Sequence, residues 1–433
     1  MSKMTKKKVI KQHNEQVPLV KKKSKRNNRL KFTFKLPRNY DRSIHFSMIL
    51  LIIFGSMMIF STSVGSTLSN NMVVLKTVFK QIIFIVVGYT GLLFFANNFS
   101  MRRASRYSNL FAMGIGILLV VCLFFYNADA GTRSWIVIPY LNVTVQPSEF
   151  AKVILIVLMA VAVQANQNRS FTLVDIVKTP VLFFIIYAGL IMFQPDMGTL
   201  MVISLVCAIC SLIPTHPSFK RYQRFVSMGF VVVGIAAMLL FSPAGPKIVQ
   251  SLPLSKYQEA RFTAALNPFS DVRLTGYQLV ESLYAFARGG VRGAGFGSSV
   301  QKFGYLPEAQ TDYILAIVVE ETGILGFILV VGTYLCIIGR LFYFAFKTRS
   351  EGYKIILIGT SMYMFIHFAF NVGGVTGLIP LTGVPLLFLS SGGSSLISIM
   401  IAIGICQHVI SQIRKGASTN AALPIANKEL DIN

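Results

Sequence analysis

The chain is 433 residues long, 54% hydrophobic and only 13% charged, with a mean hydropathy of +0.62. Soluble proteins carry about a quarter charged residues, so a string of soluble domains is excluded and a polytopic membrane protein is implied. The net charge of +25 does not describe a nucleic-acid groove. Fifteen of the 41 Lys and Arg lie in residues 1–42, and most of the others fall between apolar runs, as the positive-inside rule requires.

Residues 1–43 form a basic cytoplasmic tail, expected to be disordered and solvated. Its basic flank is too long for a cleavable signal, and no small-residue cleavage site follows the first apolar run. A helix needs about 20 apolar residues to cross the hydrocarbon core. Ten such runs are legible, at 45–64, 78–96, 108–126, 148–165, 178–194, 197–214, 225–242, 314–341, 355–378 and 388–410. The predicted fold class is an all-α polytopic membrane protein. Its ten transmembrane helices fill residues 44–412, with a large outer loop, 243–313, between helices seven and eight. Residues 413–433 are a second cytoplasmic tail.

The basic tail, Arg102-Arg103-Arg106, Lys220-Arg221-Arg224 and the stretch Arg340 to Lys354 then all fall on one side, which the charge bias makes cytoplasmic. The loops carrying unusual polar sequence share the opposite, outer face. The five cysteines lie in apolar stretches, and Cys207-x-x-Cys210 has no second pair or histidine cluster beside it, so neither zinc nor a disulfide framework is implied.

Chemistry concentrates at four places. Gly131-Thr132-Arg133-Ser134-Trp135 holds the only tryptophan and is followed by Gln146-Pro147-Ser148-Glu149-Phe150-Ala151-Lys152. Trp135 also fits an interfacial anchor, and Glu149 and Lys152, three apart, also fit a structural ion pair. Gln194-Pro195-Asp196 sits between spans five and six, where Asp196 also reads as a helix cap. In the outer loop, an amphipathic piece, Tyr277 to Ala287, is expected in the interface plane. The glycine-rich run Gly289 to Gly297 permits close backbone approach or a phosphate cradle. Four of the sixteen acidic residues, Glu308, Asp312, Glu320 and Glu321, fall within fourteen positions at a membrane boundary, where charges are costly and face a cavity, a partner or a substrate. Capping of the eighth helix is the competing role for Asp312. The fourth place is Asn371 to Pro385 followed by Ser390-Ser391-Gly392-Gly393-Ser394-Ser395, where small-residue helix packing competes with a wet cavity.

Taken together and in order, these motifs resemble the SEDS family (shape, elongation, division and sporulation proteins) over residues 45–410. Asn267-Pro268-Phe269-Ser270-Asp271, Gly276-Tyr277-Gln278-Leu279 and Gly297-Ser298-Ser299-Val300-Gln301-Lys302 look more like its division branch than its elongation branch. The chain departs from the family at Gln310, usually His, at Ser391, usually Tyr, and at Arg133, usually adjacent to the Trp.

The resemblance implies a peptidoglycan glycosyltransferase that polymerises lipid II through β-1,4 bonds and releases undecaprenyl diphosphate, at the division septum. Asp312 is then the first choice for the general base, with Glu308 in reserve. Arg133, Lys152 and Arg261 are candidates to neutralise the diphosphate. Trp135, Glu149, Gln278, Lys302, Thr311 and Ser394 complete the expected substrate site. No cofactor is called for, a divalent cation at the diphosphate staying open. The implied partners are lipid II, the growing glycan strand, membrane lipid, other divisome membrane proteins and a class B penicillin-binding protein, a single-span transpeptidase; nucleic acid is not among them. Small residues Gly352, Gly359 and Ser361 place the transpeptidase contact between Phe342 and Tyr363. A lipid II flippase, a non-catalytic scaffold and an elongation-type polymerase are the alternative readings.

Overall fold

Apolar helices of membrane length dominate the computed structural model, which describes residues 33–65, 71–125, 133–138, 143–166, 173–242, 244–251 and 256–421. They are α1 (Arg42–Gly65), α2 (Asn71–Asn98), α3 (Met101–Cys122), α4 (Pro147–Asn166), α5 (Leu173–Phe193), α6 (Met197–Ser211) and α7 (Phe219–Leu240). Three short helices follow, α8 (Gly245–Ser251), α9 (Lys256–Leu266) and α10 (Tyr277–Gly289), and then α11 (Ile314–Lys347), α12 (Glu351–Val375) and α13 (Gly393–Ala421). Among the described residues, α1, α2, α3, α4, α7, α11, α12 and α13 are the eight helices long and apolar enough to cross a membrane. The expected fifth and sixth spans, α5 and α6, are apolar but shorter. A two-stranded antiparallel hairpin, β1 (Ile136–Ile138) with β2 (Val143–Val145), pairs Val137 with Thr144 and is the one departure from an all-α fold among the described residues.

Helices in lipid gain little from the hydrophobic effect, so close packing and buried polar contacts hold them together. Here α13 lies along α2, α11 lies against α1 and α12, and α4 packs on α3, α5 and α12. Ile314 to Val318, Tyr334, Tyr363 and Ile399 to Cys406 form part of a continuous core. The small residues foreseen as a partner surface are already inside this core. A Cβ on Gly352 would meet Ala160 and Gln164, one on Gly359 would meet Ile156 and Cys210, and Ser361 is fully buried. By contrast α7 buries only Phe219 and leaves its remaining surface to the surroundings.

Several boundaries differ from the hydropathy reading. Ser100 caps α3 by accepting from the Arg103 amide, so Arg102, Arg103 and Arg106 lie within the helix and not in a loop. Hydropathy misses such a start because its first turns are basic. The last helix begins at Gly393, since residues 388–392 turn through Ser390 and Ser391 despite their apolar context. It also runs past 412 to Ala421.

At the basic end of the bundle, residues 38–41 are held rather than loose. Asp41 pairs with Arg340 Nη2 (2.5 Å) and Arg414 Nη2 (2.6 Å), and Ser411 Oγ donates to the Arg38 carbonyl. The expected disordered tail otherwise falls on residues 1–32, outside those described.

α11 is two helices joined at Gly323, whose φ of 67° lies in the left-handed region that glycine reaches at little cost. The glycine-rich run enters this break. Ala294 and Gly295 amides donate to the Glu320 and Glu321 carbonyls, and the Ile324 amide donates to the Gly290 carbonyl. The Gly290, Gly293, Ala294, Gly295 and Gly297 amides of the run are therefore engaged by the protein itself. The amphipathic piece forms α10, whose buried Leu279, Val280 and Ala285 pack against α11 and α12.

Candidate functional site

A non-helical segment, Leu381 to Ser391, gathers the chemistry at the end of the bundle that bears the long 241–313 connection. Leu381 O accepts from Arg261 Nη1 (2.6 Å), Val384 O accepts from Asn371 Nδ2 (3.1 Å), and Pro385 O lies 3.0 Å from His367 Nδ1. Further on, Ser390 Oγ donates to the Thr311 carbonyl (2.6 Å) and the Ser391 amide donates to the Gln310 carbonyl (2.8 Å). One strand of backbone thus fixes α9, α12 and the approach to α11 relative to each other. Proline and glycine keep it from continuing as a helix.

Gly383 stands between the two charges of interest. A Cβ there would lie 3.7 Å from Asp312 Oδ2 and 4.0 Å from Arg261 Nη1. Asn371 Nδ2 also donates to the Asp312 carbonyl (2.8 Å), fixing its backbone two residues before α11 begins. Glu308, exposed and with φ of 56°, turns the chain so that its carbonyl accepts from the Thr311 and Tyr313 amides. Its carboxylate accepts from Thr311 Oγ1 (2.6 Å). A non-glycine residue in that conformation is held there by its surroundings.

Burial, and then the neighbouring Glu308 charge, push the Asp312 carboxyl from the ordinary 3.8 up to about 6, with Arg261 opposing and Asp196 adding. Asp312 is consequently basic enough to take a proton and still ionised at neutral pH, as a general base must be. Asp196 belongs to the same end. It caps α6 by accepting from the Thr199 amide (3.0 Å) and accepts from Gln146 Nε2 (2.8 Å), while the Gln146 amide donates to Ser394 Oγ (2.9 Å). The Arg133 amide bonds to the Gln194 carbonyl, which carries Arg133 to within two residues of Asp196.

Buried polar atoms rarely lack partners, and those that do call for a water, an ion or a functional role. Such unpaired atoms include Asn371 Oδ1, Thr382 Oγ1, Gln194 Oε1, Ser134 Oγ and Ser148 Oγ, all on segments converging here. No three His, Cys, Asp or Glu side chains among the described residues converge as they would around a metal ion.

Deeper in the bundle, Lys152 Nζ donates to Glu149 Oε1 (2.7 Å) and contacts His367 Nε2 (3.0 Å). A lysine ammonium only donates, so Nε2 accepts, the imidazole is neutral, and its proton sits on Nδ1 toward Pro385 O. Tyr363 donates to Glu149 Oε2 (2.9 Å), with Ser398 3.0 Å from its hydroxyl. The network ties α4, α12 and α13 to the central segment.

A second buried pair lies beside the α11 break. Lys302 Nζ donates to Glu321 Oε1 (2.9 Å), Ser61 Oγ (2.9 Å) and Gly297 O (2.7 Å), using all three of its protons. Glu320 accepts from Ser299 Oγ and from the Val300 amide.

Of the residues picked from sequence, Asp312, Glu308, Thr311 and Arg261 are brought together, with Ser394 and Arg133 linked to them through Gln146 and Gln194. Glu149 and Lys152 lie in a separate buried network, and Lys302 in another. Gln278 is half-buried on α10, and Trp135 is half-buried just before β1. Sequence reasoning passed over Tyr363, His367 and, as a site residue, Asn371. Their spacing of four puts them on one stripe of α12, a signal that was available.

A family model described as "Cell cycle protein", spanning FtsW, RodA and SpoVE, matches residues 41–415. A probable peptidoglycan glycosyltransferase FtsW of Bacillus subtilis is 32% identical over 398 residues, covering 91% of this chain and 96% of that protein. The stage V sporulation protein E of the same organism is 32% identical over 343 residues, covering 76% of this chain and 86% of its own. Among solved structures, a chain from a peptidoglycan synthase complex superposes with a TM-score of 0.64 at 21% identity, covering 87% and 99%. The rod-shape-determining RodA of Thermus thermophilus gives 0.58 at 19% identity, covering 86% and 96%. With the match running from the first membrane helix into the last, the chain belongs to the FtsW/RodA/SpoVE family of cell cycle proteins.

Proposed function

We propose that the chain is a peptidoglycan glycosyltransferase that polymerises lipid II at the outer face of a bacterial cytoplasmic membrane, during septal wall synthesis. The relatives named FtsW carry that activity in their names. The observation that supports it here is Asp312: a desolvated carboxylate raised to about 6, with Arg261 beside it across Gly383 and unpaired polar atoms around it. Asp312 accepts the proton of the carbon-4 hydroxyl of an acceptor GlcNAc as that oxygen bonds to the anomeric carbon of the donor. The bond from that carbon to the diphosphate breaks, and undecaprenyl diphosphate leaves. Arg261, with Arg133, stabilises the charge on the departing oxygens. Glu308 tunes the base and orients the acceptor through Thr311.

This reading puts both termini in the cytoplasm and counts α5 and α6 as spans, making ten. It includes a transpeptidase partner in the membrane, since the structural relative with TM-score 0.64 comes from a complex that couples polymerization and crosslinking. The exposed face of α11, with Leu325, Ile328, Leu335 and Phe346, is one apolar surface open to it. A transport path is less well supported, because Glu149 and Lys152 are paired with each other and with Tyr363 and His367.

The test is polymerisation of lipid II by purified protein with and without the transpeptidase. Losing a general base costs about 10²–10⁴-fold in rate, so Asp312→Asn should leave folded, partner-bound protein that makes almost no glycan. Near-normal polymerisation by that variant would remove Asp312 from the chemistry.

A further inference from the structure

Between α1 and α2 lies a cavity of about 680 Å³ that none of the chemistry above uses. Its size falls within the roughly 300–1,000 Å³ range of ligand sites. Its walls are almost wholly apolar, running from Phe60 and Phe296 at one end to Ile49 and Tyr89 at the other, with Met400 of α13 behind. One polar side chain breaks the pattern. Gln81 is only 7% exposed, lines the cavity, and its Nε2 has no hydrogen-bond partner.

The depth of the cavity distinguishes its occupants. Ile49 and Phe60 are eleven residues apart on α1, about 16 Å at 1.5 Å per residue. The midpoint of α1 falls near residue 53 and that of α2 near residue 84. Ile49 and Tyr89 therefore each lie about 6–7 Å beyond the middle of their helix, measured from the end nearer Phe296. The slot therefore passes the midpoints of both helices. Where those midpoints lie at the bilayer centre, the tail of a lipid in one leaflet stops short of Ile49 and Tyr89, whereas a polyprenyl chain reaches them. The unpaired Gln81 amide adds a second preference, since alkene π-density can meet an N–H and a saturated chain cannot.

We propose that this slot binds the polyprenyl chain of the lipid-linked substrate or product, entering beside Phe296 and running past Gln81 to Ile49 and Tyr89. The choice of that lipid rests on the glycosyltransferase reading; the slot itself does not. Its mouth adjoins the reaction end of the bundle. Ser61, next to the lining residue Phe60, donates to Glu321. Seven steps of α11, about 10 Å of rise, separate Glu321 from Ile314, which stands two residues after Asp312.

The experiment uses the full chain in phospholipid nanodiscs and a polyprenyl phosphate carrying a diazirine at the end of its chain. Labelling should map to residues near Ile49 and Tyr89, and unlabelled undecaprenyl phosphate should compete it away where phosphatidylglycerol does not. Filling the slot from either wall, by Ser56→Phe or Ile82→Trp, should cut labelling at least about tenfold, the effect of one buried clash on a binding equilibrium. Gln81→Leu, which keeps the volume, should narrow the preference for polyprenyl over a saturated chain of equal length. Thermal unfolding of each variant separates loss of binding from loss of fold. Labels elsewhere, or equal competition by phosphatidylglycerol, would overturn the proposal. Labelling requires no turnover. A protein that labels as expected yet makes no glycan would count against the polymerase alone, and one that makes glycan but labels elsewhere would count against the slot alone.

Discussion

Ser391 donates its amide to the Gln310 carbonyl at 2.8 Å, so two of the three positions at which this chain departs from the family's usual pattern are direct neighbours. The departures, Gln for His and Ser for Tyr, therefore replace two large rings at one junction by smaller side chains. Residues in contact couple by about 0.5–3 kcal/mol. Gln310→His and Ser391→Tyr should each impair polymerisation alone, and the double variant should recover part of the loss. A double-mutant cycle on polymerisation rate measures this. Strictly additive effects would mean that the two changes are unrelated.

The rate of polymerisation should fall on acidification with an apparent pKa near 6, the value to which burial and Glu308 raise Asp312. Because Glu308 raises it and Arg261 lowers it, the variants should shift the acid limb in opposite directions. Glu308→Gln moves the limb to lower pH, and Arg261→Gln moves it to higher pH. Rate against pH for the three proteins decides the matter, and shifts of the same sign would break the electrostatic account.

Stability carries the opposite sign from activity at this position. A carboxyl whose folded pKa lies above 3.8 binds its proton more tightly when folded. Its contribution to folding is fully present below the unfolded value and is lost as pH rises through about 6. Near neutral pH the ionised Asp312 therefore weakens the fold, by at most about 3 kcal/mol. Asp312→Asn should raise the melting temperature at neutral pH, with the gain vanishing in acid. An unchanged or lower melting temperature at neutral pH would show that the carboxylate is better accommodated than its surroundings suggest.

How much of this was legible beforehand varies with the kind of signal. Eight of the ten expected spans were, because a run of about twenty apolar residues has few other uses. The gathering of Asp312, Thr311 and Arg261 was legible only in outline. Arg261 reaches the site because Leu381 presents a carbonyl 120 residues away, a pairing that leaves no periodic mark. Helix ends were misplaced where charge and hydropathy conflict, as at Met101, and where an apolar stretch turns, as at residues 388–392. His367 was invisible as a lone histidine but legible in the stripe it shares with Tyr363 and Asn371.

Breaking one side of a buried ion pair costs about 3–5 kcal/mol, whereas replacing both partners costs far less. Lys152→Met and Glu149→Gln should each destabilise the protein strongly, because each strands a charge among α4, α12 and α13. The double variant should be more stable than either single one. Thermal unfolding in detergent tests this, and a double variant weaker than both would place the worth of the pair in attraction rather than in mutual neutralisation.

The interruption at Gly323 changes what α11 can transmit. A continuous helix of 34 residues would behave as a stiff rod from the basic end to Asp312. Cut at Gly323, it is a hinge whose upper arm is clamped through Ala294, Gly295 and Lys302 to the glycine-rich loop and α1. A force applied to the lower arm, where the apolar face of α11 lies open, passes through that short loop before it reaches the carboxylate. The position of Asp312 is consequently set by the clamp as well as by the shaft, since the loop bonds to both sides of the break, at Glu320 and Glu321 and at Ile324.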